Sequence, residues 1–189
     1  MKTTELNDYK GVVLFVVCLL AANFFWKFTV QGDEGVNEVF WLGLNITPPF
    51  RVLSEHIAQV VYRLTRLFTD AVHFESPYTV VFDSGFAYSV VWSCTALKQS
   101  FIWLIIMLFA RGGIRHKLWF IPLGWICAYM FNILRIVLIG LLSEHHPENF
   151  ELYHTIVFKY LFYGMFFGLW VLWDVKIRTM DNREDENNG

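Results

Sequence analysis

Residues 118–142 read LWFIPLGWICAYMFNILRIVLIGLL, and Asn132 and Arg135 are the only strongly polar side chains among them. A bilayer hydrocarbon core of about 30 Å needs roughly 20 predominantly apolar helical residues to cross it. The stretch therefore predicts a membrane-spanning helix. Three more stretches qualify or nearly so. They are, in chain order, residues 11–30, 92–110 and 155–173. The second of them has a polar head that contains Ser93, Thr95, Lys98, Gln99 and Ser100.

The composition agrees with a membrane protein. Of 189 residues, 56% are hydrophobic and 17% are charged, and the formal net charge is -2. A soluble domain of this size leaves most residues in contact with water and has no room to bury so much apolar side chain. The low charge and the 19 Phe exclude a disordered chain. The absence of a basic excess argues against a nucleic-acid partner, and three scattered cysteines form neither a disulfide framework nor a CxxC metal site.

These observations predict an all-α polytopic membrane protein with a four-helix transmembrane core. Lys and Arg in short loops orient the spans. Residues 111–117 hold Arg111, Arg115 and Lys117, whereas residues 143–154 hold three Glu and no Lys or Arg. The predicted organisation is, in chain order, a cytoplasmic N-terminus at 1–10, an extracytoplasmic segment at 31–91, a cytoplasmic loop at 111–117, an extracytoplasmic loop at 143–154 and a cytoplasmic tail at 174–189.

The extracytoplasmic segment 31–91 has two parts with their own patterns. Residues 51–69 repeat apolar side chains at helical spacing with charged residues between them, which predicts an amphipathic helix. Residues 78–92 are β-branched and aromatic around Asp83-Ser84-Gly85, which favours a short β-hairpin. An irregular ordered loop is the alternative for the same residues.

Three chain segments bring reactive side chains to one predicted depth. Cys94 lies at the outer end of the second predicted span, and His154 begins the fourth from the outside. Arg135 follows Leu118 at a distance of about 25 Å along a helix, which is close to the outer boundary of the hydrocarbon core. Asn132 shares its helix face with Arg135. Because ionisable residues within membrane segments are costly and tend to be functional, we expect these four residues to form a site.

The residue types suit nucleophilic catalysis. A Cys–His pair is the minimal activated nucleophile with its proton shuttle, and an Arg stabilises a thiolate or an oxyanion. A helix N-terminus and a nearby cation both lower a thiol pKa, so we expect a lowered pKa for Cys94. Cys18 and Cys127, inside apolar spans, are interpreted as core residues. The alternatives are that Arg135 extends to the outer headgroups and that His154 is an ordinary interfacial residue.

Residues 92–97 (WSCTAL), residues 131–136 (FNILRI) and a His opening the next span together resemble the exosortase/archaeosortase family. The resemblance covers residues 90–173. It implies a multispanning cysteine transpeptidase in which Cys94, Arg135 and His154 are catalytic and Asn132 supports them. Ala96 stands where that family commonly has Gly. The chain is similar to a compact four-span member, a form that the resemblance associates with Bacteroidota.

The resemblance also implies partners and a location. The substrate would be a secreted protein whose C-terminal tail has a short motif, a transmembrane helix and a basic cluster, and the acceptor would be an amine or a lipid. The enzyme would lie in the cytoplasmic (inner) membrane with its active site facing the periplasm. No cofactor and no metal are predicted, and no substrate-binding residues are assigned.

Three other functions remain open at this stage. The first is a non-catalytic assembly or accessory subunit of a secretion or polysaccharide-export system, in which Arg135 pairs with a partner helix. The second is a transporter, although four spans leave little room for a midplane substrate site. The third is a metal site in the outer loop, whose residue types suit zinc without a helical HExxH arrangement. Its candidate ligands are Glu144, His145, His146, Glu148 and His154.

Overall fold

The computed structural model describes the backbone of residues 2–188 and the side-chain surroundings of residues 10–177. Met1 and Gly189, at the ends of the predicted cytoplasmic segments, lie outside the described residues. A 3-10 turn at Trp92–Cys94 precedes α3, and a π-helical turn at Leu152–Val157 precedes α5. The elements are, in chain order, α1 (Lys2–Thr29), β1 (Val30–Asp33), β2 (Glu38–Trp41), β3 (Leu44–Asn45), α2 (Thr47–Thr65), β4 (Val72–Glu75), β5 (Thr79–Phe82), β6 (Ala87–Ser89), α3 (Leu97–Phe109), α4 (Ile114–His145) and α5 (Phe158–Asn188).

The all-α membrane class is confirmed, but the number of spans differs from the prediction. Three helical segments are long and apolar enough to cross a membrane, namely Lys10–Thr29, Ile114–His145 and Pro147–Ile177. The second predicted span contains α3, which has 13 residues. A helix of that length rises about 20 Å, which is less than the hydrocarbon thickness. The helix is short because Ala96 adopts a left-handed conformation with φ 59° and separates the Cys94 turn from α3.

The four helices α1, α3, α4 and α5 pack around an apolar core. Trp103 of α3 is fully buried, stacks on Phe166 of α5 with ring centroids 5.3 Å apart, and lies directly against Gly124 of α4. A side chain on Gly124 would occupy the space of the Trp103 ring, so a glycine is required here for close packing. Cys18 is buried in this core and Cys127 is partly buried.

A lobe made of residues from the predicted extracytoplasmic segment packs against residues 131–145 of α4. We call it the outer lobe, and we call residues 131–145 the outer half of α4. The outer lobe consists of α2, the sheet β4-β5-β6 and the sheet β1-β2-β3, both of them antiparallel. Ile57 and Val61 of α2 and Val80 of β5 pack with Val137 of α4 in one apolar cluster. The outer half of α4 is therefore held by this lobe rather than by the bundle alone.

The predicted hairpin is confirmed, since β5 and β6 pair on either side of the Asp83–Phe86 connection. The structure adds β4 as a third strand and a second small sheet, β1-β2-β3, that the sequence analysis did not predict. Helix α2 begins and ends four residues earlier than the predicted 51–69. It begins earlier because Pro48 and Pro49 occupy its first turn, where proline is tolerated.

Candidate active site

Cys94 ends a tight turn at the N-terminal end of α3. Its N–H donates to the carbonyl of Val91 at 2.9 Å, and the hydroxyl of Thr95 donates to the carbonyl of Trp92 at 2.7 Å. The left-handed Ala96 then redirects the chain into α3. These bonds fix the position of the thiol ahead of the helix rather than within it.

Asn132 ties this turn to α4. Its amide nitrogen donates to the carbonyl oxygen of Cys94 at 2.7 Å, and its side chain is buried. An amide in an apolar surrounding needs such a partner, because an unpaired polar group there is costly. Asn132 therefore positions the main chain of the candidate nucleophile.

Arg135 makes the corresponding contact with the segment that contains His154. Its Nη2 donates to the carbonyl oxygen of His154 at 3.1 Å, and the residue is 9% exposed. This burial argues against the alternative that Arg135 extends to the lipid headgroups. The ring of His154 is not used in this bond and stacks on Phe150, with centroids 5.6 Å apart and planes at 6°.

His154 lies within the π-helical turn Leu152–Val157. Such turns contain one extra residue relative to an α-helix and are frequent at functional sites. Here the turn places the carbonyl of His154 against Arg135, so the polar contact and the irregular backbone occur at the same residue.

The structure brings Cys94, Arg135 and His154 to one cavity of about 430 Å³, which we call the active-site cavity. Its walls come from the β1–β2 connection, β6, the outer half of α4 and the helical turns before α5. Tyr88 of β6 lies against Gly140 of α4, where a larger residue would collide with its ring. The remaining lining residues are Glu34, Gly35, Ala87, Tyr88, Ser89, Val90, Val91, Ile136, Ile139 and Phe150.

The electrostatics of Cys94 differ from the expectation. Cys94 precedes α3 and lies outside the helices that cross the membrane. Burial raises the pKa of its thiol, whereas the charge of Arg135 and the contact with Ser93 Oγ at 3.9 Å lower it by less. The predicted lowered pKa was wrong because the turn is packed in apolar surroundings, which disfavour the thiolate. The resting thiol is therefore protonated at neutral pH and needs a base.

Glu34 is a site residue that the sequence analysis did not select. It lines the active-site cavity and interacts electrostatically with both Cys94 and His154. The nearby Asn37 accepts the backbone N–H of Trp92 at 2.8 Å, which joins the β1–β2 connection to the Cys94 turn. The acidic character of residues 33–38 was visible in the sequence, but their pairing with Trp92 was not.

The candidate metal ligands do not converge. His145 lies 3.8 Å from Glu144, and His146 lies 3.1 Å from Glu148, so they form two separate pairs. Among residues 10–177, no group of three or more His, Cys, Asp or Glu side chains is arranged to hold a metal ion. The structure thus gives the zinc alternative no geometric support.

The comparisons with known proteins point to one family. A family model described as transmembrane exosortase matches residues 36–173, a range that contains all four predicted site residues. No curated protein and no solved structure matches the chain.

Proposed function

Because the chain belongs to the transmembrane exosortase family, we propose that it is a cysteine peptidase and transpeptidase that cleaves the C-terminal sorting tail of secreted proteins. Its catalytic residues are Cys94, Arg135 and His154, and Asn132 is a positioning residue. The active site faces the outer side of the cytoplasmic membrane, on the side opposite the basic loop 111–117.

One observation carries this proposal. Three separate chain segments deliver a thiol, a guanidinium and an imidazole to the same cavity, and α4 bonds to the main chain of both flanking segments. Polar and ionisable side chains such as Asn132 and Arg135 are costly to bury in a membrane helix, and residues of this kind tend to be functional. The hydrogen bonds from these two residues position the nucleophile and the proton-transfer residue, which is what acyl transfer requires.

The first half of the reaction is acyl transfer to the enzyme. The thiol proton of Cys94 passes to His154 as Sγ attacks the carbonyl carbon of the tail. The guanidinium of Arg135 stabilises the resulting oxyanion. The C–N bond then breaks, the leaving amine takes the proton from His154, and a thioester remains on Cys94.

The second half returns the enzyme to its starting state. An acceptor amine or hydroxyl attacks the thioester carbonyl and gives its proton to His154. The C–S bond breaks, and His154 returns the proton to Sγ. Water in place of the acceptor gives hydrolysis, and an amine or lipid-linked acceptor gives transpeptidation.

The experiment uses the cysteines of this chain as matched variants. A secreted reporter with a motif, a transmembrane helix and a basic cluster at its C-terminus is co-expressed with wild type, Cys94→Ala or Cys127→Ala. We expect tail cleavage and a hydroxylamine-sensitive adduct on Cys94 in wild type and Cys127→Ala. Cys94→Ala should give neither, because it lacks the nucleophile.

The same experiment tests the accessory-subunit alternative. Normal tail processing by a folded Cys94→Ala protein would contradict the proposal and favour a non-catalytic role. Intact mass analysis confirms the identity of each purified variant, and thermal unfolding in detergent establishes that it is folded. A candidate tail that wild type itself does not cleave is replaced by another tail before variants are compared.

A further inference from the structure

A second cavity adjoins the active-site cavity and is basic. Its volume is about 250 Å³, and it shares Arg135 and His154 with the active-site cavity while extending to Lys98 of α3 and Lys159 of α5. We call it the basic cavity. Its polar lining includes Glu34, Ser93, Gln99, Thr155 and Tyr163.

The basic residues of this cavity outnumber Glu34, the acidic residue that also lines it. Lys98 interacts electrostatically with Lys159 and with Lys27, which lines an adjoining cavity of about 200 Å³ together with Lys98. Within residues 10–177, none of the three side chains takes part in an ion pair. Three like charges close together repel one another, and a bound anion would remove that repulsion.

Two further features of the basic cavity also indicate a ligand. The Nε of Arg135, a hydrogen-bond donor, is buried and has no hydrogen-bond partner among the described residues. Buried polar groups are normally paired, so each exception needs an explanation. Lys98 also lies in the first turn of α3, the end of a helix that disfavours cations and attracts anions.

The location of the lysines indicates the source of the anion. Lys27 and Lys159 are exposed at the outer ends of membrane-crossing helices, next to Phe28 and Tyr160, which are 72% and 69% exposed. A ligand therefore reaches the lysines from the lipid side of the protein. Several cations directed at one group also suit the multiple oxygens of a phosphate better than a single carboxylate.

We propose that the basic cavity binds a phosphate group, carried by a phospholipid headgroup or present as free phosphate, beside His154. Lys98 and Lys159 supply the charge, Lys27 extends the positive field, and Arg135 donates its free Nε. The basic cavity shares Arg135 and His154 with the proposed active site. Binding does not involve Cys94, so it is measurable without the peptidase reaction.

The test measures binding to purified protein in a neutral maltoside detergent by native mass spectrometry. The probes are dihexanoyl phosphatidylglycerol, dihexanoylglycerol, which lacks the phosphate, and inorganic phosphate. We expect the phospholipid to bind at least about ten-fold more tightly than its phosphate-free counterpart, as charged hydrogen bonds of this kind provide. Cys94→Ala should bind in the same way, which separates this test from that of the peptidase.

Two double variants provide the matched comparison. Lys98→Gln/Lys159→Gln should lose about ten-fold in phospholipid binding, whereas Lys10→Gln/Lys176→Gln removes the same charge at the opposite membrane boundary and should bind as wild type does. Displacement of the lipid by inorganic phosphate assigns recognition to the phosphate group alone. Failure of inorganic phosphate to displace a bound phospholipid assigns it to the intact headgroup.

Three outcomes would overturn the proposal. The first is equal binding of the two lipids by wild type. The second is unchanged phospholipid binding by folded Lys98→Gln/Lys159→Gln. The third is displacement of the phospholipid by tetraglutamate, added as a further competitor, but not by inorganic phosphate, which would indicate an acidic peptide as the ligand. The comparison of the two lipids uses wild type alone, so it decides the matter even where the double variant does not fold.

Discussion

The two halves of α4 are both buried in part, but they are buried in different ways. At the inner end of α4, the buried Lys117 donates to the carbonyl of Leu108 at 3.0 Å. Along the rest of the inner half, residues 118–130, the buried positions are apolar or small, such as Phe120, Gly124 and Ala128, and they pack in the bundle core. In the outer half, residues 131–145, Asn132 and Arg135 are buried and bond to other segments of the chain. One helix therefore combines a packing half with a polar half.

The difference shows how a membrane helix carries a site. Where the helix is surrounded by lipid and apolar neighbours, every polar group must be hydrogen-bonded within the protein. Apolar side chains need no such partner, so they occupy most buried positions there. Where the outer lobe covers the helix, main-chain carbonyls of Cys94 and His154 are available as hydrogen-bond partners. We expect substitutions in the inner half to change stability and substitutions in the outer half to change activity.

The largest expected effect comes from Arg135→Ala in the outer half. Loss of one preorganised donor to an oxyanion costs about 10²–10³-fold in rate, and we expect tail cleavage by the variant to fall by that factor. Arg135→Lys should recover part of the rate, because the charge remains but the planar guanidinium does not. Cleavage of the co-expressed reporter measures both. Cleavage by Arg135→Ala at the wild-type rate would contradict a functional role for the outer half of α4.

In the inner half, Gly124→Ala should lower the free energy of unfolding by about 1–3 kcal/mol, because the added methyl group collides with the Trp103 ring. The matched variant is Gly168→Ala in α5, where the structure leaves open space around the added group. It should leave stability unchanged or raise it, since Ala favours a helix by up to about 1 kcal/mol over Gly. Thermal unfolding in detergent measures both variants. Equal stability of the two would show that the Trp103 contact is not tight.

Asn132→Ala tests whether a polar bond of the outer half acts on activity more than on stability. The carbonyl of Cys94 loses its donor, which is worth about 1 kcal/mol, and the nucleophile is held less firmly. We expect tail cleavage to fall about ten-fold, while the unfolding free energy drops by about 1 kcal/mol. Ala128→Gly in the inner half, which we expect to change the unfolding free energy by a similar amount, serves as the control. A loss of stability without a loss of cleavage would contradict the positioning role.

The pH dependence of Cys94 alkylation follows from its surroundings. Burial raises the pKa of this thiol and the charge of Arg135 opposes the rise. Thiolate, the reactive form, therefore increases as the pH rises above neutrality. Arg135→Ala should raise the pKa further and slow alkylation several-fold at pH 8, and Arg111→Ala, which removes a distant cation, should not. Maximal alkylation already at pH 6 in wild type would contradict a raised thiol pKa.

The smallest expected effect is that of Ala96→Gly. Ala96 has φ 59°, a left-handed conformation that costs an alanine about 1 kcal/mol or more. Glycine removes that cost but gives the unfolded chain more conformational freedom, which lowers the unfolding free energy by about 0.4–1 kcal/mol. We expect a small net gain in unfolding free energy and unchanged cleavage. A loss of cleavage would show that the rigidity of alanine contributes to positioning Cys94.

Local patterns were sufficient to predict part of the fold. The long apolar run of α4 predicted a membrane helix, and Asp83-Ser84-Gly85 between β-branched stretches predicted the hairpin of β5 and β6. Such features depend on residues that are neighbours in the chain. The relative placement of Cys94, Arg135 and His154 was predicted from depth, because the position of a residue along a membrane-spanning helix gives its depth in the bilayer.

Features that depend on tertiary contacts were not predicted. The second predicted span contains the short helix α3, which begins after the left-handed Ala96. That backbone conformation is not evident in an apolar sequence, so the short helix was not predicted. The raised thiol pKa of Cys94 depends on burial by the outer lobe. Glu34 reaches the cavity through the sheet β1-β2-β3, whose pairing depends on contacts with the rest of the protein and was not predicted. The grouping of Lys98 with Lys159 likewise requires α3 and α5 to be adjacent.

The bond from Arg135 to the main chain of His154 has a consequence for how the site tolerates change. Because the guanidinium is anchored by a carbonyl rather than by the imidazole, the ring is exchangeable without loss of that anchor. In His154→Gly the vacated space beside Phe150 is open to imidazole added to the buffer, and activity restored in this way would separate proton transfer from oxyanion stabilisation within one protein.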